Sequence, residues 1–259
     1  MHSVEKKADM SGAMVQKGQA REGPGYNERL FSGGLRKWLH EARFLWLADE
    51  LGKKAVQAAA IVEVGCFDCR ALNYIGPDFG SYRGFDADWE GGLSTAAAKL
   101  ADPRVSLQKC TSPQDFDPGQ CDIVISLETL EHINPGHLPI YYGEIDRNLR
   151  DDGVFLISVP NETGPLFLAK QLYKSLFLEG AREYSSFEMI CQTFGAVGKV
   201  KRREHKGFGW RTFKKELSQY FDVRSVRGLQ FPHLPLFLNP SIGIVATRKG
   251  AGRKGGRPA

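Results

Sequence analysis

The sequence predicts an α/β fold: seven strands in a mostly parallel sheet, with a helix-rich insertion late in the chain. Two observations carry this. Between about residues 60 and 160, short β-rich apolar runs alternate with helical segments, the pattern of βαβ units. The chain has 259 residues, 42% of them hydrophobic and 25% charged. That suits one large globular domain with a sizeable core, and excludes a disordered, collagen-like or disulfide-dense protein.

Residues 1–28 are rich in Gly, Lys, Glu and Gln and have no periodicity, so they read as a flexible arm ahead of a domain over 29–250. Lys6, Lys7, Asp9 and Lys17 interrupt any apolar stretch there, which speaks against a secretory signal. Leu35–Leu51 follows as an amphipathic helix. Its expected core face is Leu35, Trp38, Leu39, Ala42, Leu45 and Trp46, with Arg36, Lys37, Glu41 and Arg43 on the other side. Strands are expected at Ile61–Val64, Tyr82–Phe85, Val105–Lys109, Asp122–Leu127 and Val154–Val159, then at Asp222–Arg227 and Ile242–Thr247. Residues 163–210 break the alternation and are expected to form a helical lid over the acceptor, a long connection of the kind that commonly carries function. Within it, Phe167, Leu168, Leu172 and Leu176 beside Lys170 and Lys174 suit a core stripe, a lid or an interfacial helix. The tail, 251–259, is basic and glycine-rich. No stretch reaches the roughly 18 apolar residues of a membrane span. The five cysteines form an odd set, which points to reduced thiols and a cytoplasmic setting.

Chemistry concentrates at two places. The first strand, Ile61-Val62-Glu63-Val64, runs into Gly65, where a residue without Cβ lets the backbone approach a ligand. Some twenty residues on, the second strand ends at Asp86, a carboxylate placed to accept both ribose hydroxyls of a nucleoside cofactor. The full glycine fingerprint for a pyrophosphate is absent, which argues against a nicotinamide enzyme. Cys66 and Cys69 have no second pair at zinc spacing and read as packing residues of this turn. The second place is Glu128-Thr129-Leu130-Glu131-His132, directly after the fourth strand. If Glu128 opens a helix, Glu131 and His132 share its face, giving half of a divalent-metal site.

These motifs resemble the class I S-adenosylmethionine-dependent methyltransferases over roughly residues 55–165 and the final two strands. The resemblance implies a Rossmann-like, doubly wound sheet and S-adenosylmethionine as cofactor. Glu63-Val64-Gly65-Cys66-Phe67 is similar to the family's motif I, whose acid lies near the methionine ammonium; Phe67 and Cys69 stand where its second and third glycines usually fall. Asp86, followed by Ala87, matches the ribose acid, Thr111 and Ser112 fall where the adenine is contacted, and Glu128 ends motif IV.

The element Glu128, Glu131, His132, followed much later by His205 before Phe208 and Trp210, resembles the small-RNA 3′-terminal 2′-O-methyltransferases. Its first part also resembles the ubiquinone-pathway catechol O-methyltransferases. In both, the resemblance implies Mg²⁺ or another divalent cation, here on Glu128, Glu131, His132 and His205. Family members with the same element and no metal use the acid for the cofactor and the histidine as a general base or a packing residue, which makes Glu128 and His132 the candidate catalytic pair. Three functions stay open: O-methylation of a small metabolite, sugar or lipid-linked acceptor; metal-dependent RNA ribose methylation, suited to the basic, aromatic run from Lys199 to Arg211; and an idle cofactor-binding protein. Asn161, at the end of the fifth strand, is a candidate acceptor contact or a loop cap. The oligomeric state is not legible.

Overall fold

All seven expected strands occur in the computed structural model, which describes residues 33–54, 56–177, 183–203 and 205–250. The arm at 1–28 and the tail at 251–259 lie outside the described residues, as does 178–182 of the insertion. The strands are β1 (Ala60–Val64), β2 (Ser81–Asp86), β3 (Val105–Lys109), β4 (Cys121–Leu127), β5 (Leu149–Pro160), β6 (Phe221–Gly228) and β7 (Ser241–Arg248). They form one sheet in the order β3-β2-β1-β4-β5-β7-β6. The first five run parallel, with Val64 beside Phe85 and Ile61 beside Ile123. β7 enters antiparallel between β5 and β6, pairing Pro160 with Ser241 and Val226 with Ile244. The order reverses at β1, so the carboxyl ends of β1 and β4 face a crevice, the usual ligand site of an open α/β sheet.

Seven helices accompany the strands among the described residues: α1 (Gly34–Gly52), α2 (Leu72–Ile75), α3 (Gly92–Lys99), α4 (Leu138–Asn148), α5 (Gly164–Phe177), α6 (Ser186–Thr193) and α7 (Trp210–Leu217). Alternate strand residues feed two cores, one on each face of the sheet. Val62, Val124, Phe155 and Ile157 pack with Tyr142 and Ile145 of α4 and with Phe213 and Leu217 of α7. Ile61, Ile123, Ile125 and Leu156 pack with α1, α2 and α3. Near-continuous apolar strands are what a sheet covered on both faces requires.

The inward face of α1 differs from the expected one. Ala42, Phe44, Trp46, Leu47 and Leu51 are buried, whereas Leu35 and Leu45 are 71% and 56% exposed. The helix packs on one face of the sheet, and Trp46 lies where a Cβ on Gly243 of β7 would come within 2.8 Å of its ring. This docking turns the stripe and brings Arg43, expected in solvent, to the crevice.

Candidate active site

The backbone leaves β1 through Gly65 at φ +79°, and its amide donates to the Phe85 carbonyl at 2.7 Å. A Cβ at this glycine would sit 2.1 Å from the Thr129 hydroxyl oxygen, so the turn admits no side chain. Phe67 and Cys69, at φ +46° and +58°, keep the left-handed backbone that glycines normally supply. The turn is held from β2: Asp86 accepts from the Phe67 amide at 3.0 Å and from the Asp88 amide at 2.7 Å. Beneath it, the buried Glu63 accepts from the Tyr82 hydroxyl, and burial pushes the Glu63 carboxyl well above its ordinary value. Cys66 and Cys69 are buried free thiols. The hydrogen bond with Cys69, reinforced by burial, raises the Cys66 thiol far above its usual range.

After β4 the chain forms consecutive tight turns rather than the expected helix. The His132 amide donates to Thr129 at 2.9 Å and the Ile133 amide to Leu130 at 3.3 Å, and α4 begins only at Leu138. Glu128 takes φ +51°, with its amide bonded to the Ser158 carbonyl at 2.9 Å. Its carboxylate accepts from Arg43 at 3.0 Å and from the Ser241 hydroxyl. Burial opposes ionisation of Glu128, but Arg43 and Ser241, with His40 and His205, outweigh it and hold the carboxyl below its ordinary value.

Glu131 has the opposite surroundings. The residue is 1% exposed, and neither carboxylate oxygen has a hydrogen-bond partner among the described residues. Burial, with the Glu128 charge second, raises its carboxyl well above the usual range. His132 Nε2 lies 3.8 Å from Glu131 Oε1, and the His132 and His205 rings meet edge to face at 4.5 Å. Ligand atoms of Glu131, His132 and His205 all fall within 4.8 Å of one another, and Nδ1 of His205 is buried without a partner. Glu128 stands outside this group, engaged by Arg43 and Ser241.

The loop bearing His205 is tied down on two sides. Arg202 donates to the Glu131 carbonyl at 2.7 Å and stacks over Phe208 at 4.8 Å. Gln192 of α6 donates to the carbonyls of Glu162 and Phe208 at 2.7 and 2.6 Å. Phe208 and Trp210 are 3% and 5% exposed, so they belong to the core. Asn161 is a lock: it donates to the carbonyls of Leu236 and Asn239 and accepts from Thr163 at 2.9 Å.

Between these two places lies a cavity of about 770 Å³. Every residue nominated for cofactor or cation borders it except Ser112, whose amide and side chain instead cap a turn with Asp115. Sequence reasoning missed Arg43, which lines the cavity, and Ser241, which holds Glu128. Arg43 lies among the polar residues of its helix, and Ser241 opens a strand far along the chain, so neither gave a local signal.

A family model described as a methyltransferase domain matches residues 31–229. No curated protein matches the chain in sequence. Solved structures share the fold. An S-adenosylmethionine-dependent methyltransferase from Clostridium acetobutylicum superposes with a TM-score of 0.58 at 12% identity, over 87% of this chain and 96% of that one. Magnesium protoporphyrin IX methyltransferase from Synechocystis, solved with S-adenosylhomocysteine, gives 0.56 at 15% identity over 86% and 92%. The methyltransferase domain of bacterial CtHen1 gives 0.54 at 17% identity over 81% and 99%.

Proposed function

The chain belongs to the methyltransferase-domain family and is an S-adenosylmethionine-dependent methyltransferase, and from that premise we propose that it O-methylates a hydroxyl-bearing small molecule, sugar or lipid-linked acceptor beside a divalent cation. The observation that carries this reading is Glu131, a buried carboxylate with no hydrogen-bond partner among the described residues, converging with two imidazoles on one point. Burial favours the protonated form of an unpartnered carboxyl, and a bound cation would offset the cost of ionising it there.

Glu131, His132 and His205 would hold the ion as one oxygen and two nitrogen donors, a set that favours Mn²⁺, Fe²⁺ or Co²⁺ over Mg²⁺. When bound, such an ion lowers the pKa of a hydroxyl and fixes its orientation. The chain's own residues position the donor. Asp86, pinned by two amides, accepts the ribose hydroxyls, and Gly65 lets the backbone pass beneath the cofactor. The Arg43 and Glu128 pair offers opposite charges to the carboxylate and ammonium of the methionine end, and Nε of Arg43 is buried and unpartnered. Placing the acceptor oxygen in line with the sulfonium methyl supplies most of the acceleration. Phe208 and Trp210 are buried and Arg202 and Lys206 are engaged by protein groups, so the basic run lacks stacking aromatics for RNA.

Calorimetry with Mn²⁺ and labelled methyl transfer to hydroxyl-bearing extracts test the reading. Wild type should bind the ion, and Glu131→Gln and His205→Ala should lose it while still binding S-adenosylhomocysteine. Absence of ion binding together with activity that survives chelation would remove the cation and leave His132 as a base.

A further inference from the structure

α5 and α6 turn apolar residues outward. On α6, Phe187 and Ile190 are 62% and 57% exposed, and Phe194, just past its end, is 84% exposed. These three share one helical stripe at i, i+3 and i+7, while Cys191 and Gln192 face inward. On α5, Leu172, Tyr173 and Leu176 are exposed while Phe167 and Gln171 are buried. The two helices pack on each other, and a short helical turn at Val197–Lys199 packs on α6. From that turn onward Lys199, Lys201 and Arg203 are exposed, and none has a carboxylate partner among the described residues. Scattered apolar side chains on a soluble surface need no explanation, but two adjacent helices with their apolar stripes outward beside a basic fringe do.

We propose that this face docks on an anionic membrane surface, with the α5 and α6 side chains entering the headgroup boundary and Lys199, Lys201 and Arg203 meeting anionic headgroups. The charge decides between occupants. Anionic lipid complements both components, apolar and basic. The face is also joined to the candidate active site: α6 reaches it through Gln192 and the Phe208 carbonyl, and Phe208 donates its amide to His205. The inference deepens the proposed function by selecting the lipid-linked class of acceptor, and it rests on that reading for the acceptor alone.

Co-sedimentation of the full chain with vesicles provides the test. Binding is expected to equimolar phosphatidylcholine and phosphatidylglycerol, to weaken with salt, and to be absent with phosphatidylcholine alone. Leu176→Glu with Phe194→Glu should abolish it, and Lys199→Gln, Lys201→Gln and Arg203→Gln together should weaken it about a hundredfold. Calorimetric binding of S-adenosylhomocysteine serves as the folding control and, with Mn²⁺ binding, reports separately on the proposed function. Should a variant fail that control, the lipid and salt dependence of wild type still decides. The proposal falls if wild type ignores both vesicle types, if the folded variants bind as wild type does, or if the chain forms a dimer that the same substitutions break.

Discussion

Asp86 spends one carboxylate oxygen on the Phe67 amide and the other on the Asp88 amide, so it fixes the cofactor turn and the loop after β2 together. Each charge-assisted bond contributes roughly 1.5–3 kcal/mol. Asp86→Ala is therefore expected to weaken S-adenosylmethionine binding by about ten- to a hundredfold in calorimetry. Equal affinity in the folded variant would count against the ribose role. Gly65 and Asp86 were legible in the sequence because strand, glycine and acid follow one another within a single βα unit. Arg43 was not, because its partner Glu128 lies 85 positions away, just past β4. Phe67 and Cys69 show that motif I requires a left-handed backbone rather than glycine itself. Their side chains concealed this in the sequence.

At the scale of elements, α6 is set by a local device with a distant link. Ser185 accepts from the Glu188 amide at 3.2 Å, Glu188 returns to the Ser185 amide at 2.9 Å, and Lys206 joins Glu188 at 2.8 Å. Lys206 and the Ser185 amide hold the Glu188 carboxyl at about 2, below its ordinary 4.5. A depressed acid stabilises the fold above its ordinary value and loses that contribution as pH falls towards the depressed one. Amide exchange in α6 should therefore accelerate as pH drops from about 5 to 3 relative to the sheet, and Glu188→Gln should remove this difference. Unchanged acid sensitivity in the variant would show that the link is idle. The strands were legible as apolar runs between turns. The expected helix at Glu128 was not found, and Pro135 disfavours helical backbone at the residue before it, a breaker that could have been read. The stripe of α1 was displaced because period fixes spacing and only docking fixes phase.

At the scale of the described molecule, α1 is tied to the chain around β6 and β7. Arg227 meets Asp49 at 2.9 Å, Gln230 donates to the Leu39 carbonyl at 2.9 Å, and Trp46 lies against Gly243. Phe44, Trp46, Leu47 and Leu51 are buried in the core on the α1 face of the sheet, Phe44 stacked on Tyr74 of α2 at 5.1 Å, and side chains of that size contribute on the order of 2 kcal/mol each. Deleting residues 33–54 should lower the melting temperature steeply and abolish cofactor binding, since Glu128 loses Arg43. A truncated chain that melts and binds as the full one does would show that α1 is dispensable. The number of strands could be read from the sequence, but their order could not, because pairing β7 between β5 and β6 depends on contacts far apart along the chain.

The bond from Ser241 to Glu128 has a temporal consequence. Synthesis runs from the amino end, so the parallel half of the sheet leaves the ribosome first and carries Gly65, Asp86 and Glu128 with it. Until β7 emerges and slides between β5 and β6, Glu128 lacks its hydroxyl partner. A nascent chain stalled before Ser241 therefore carries the motifs of a methyltransferase with Glu128 held by Arg43 alone.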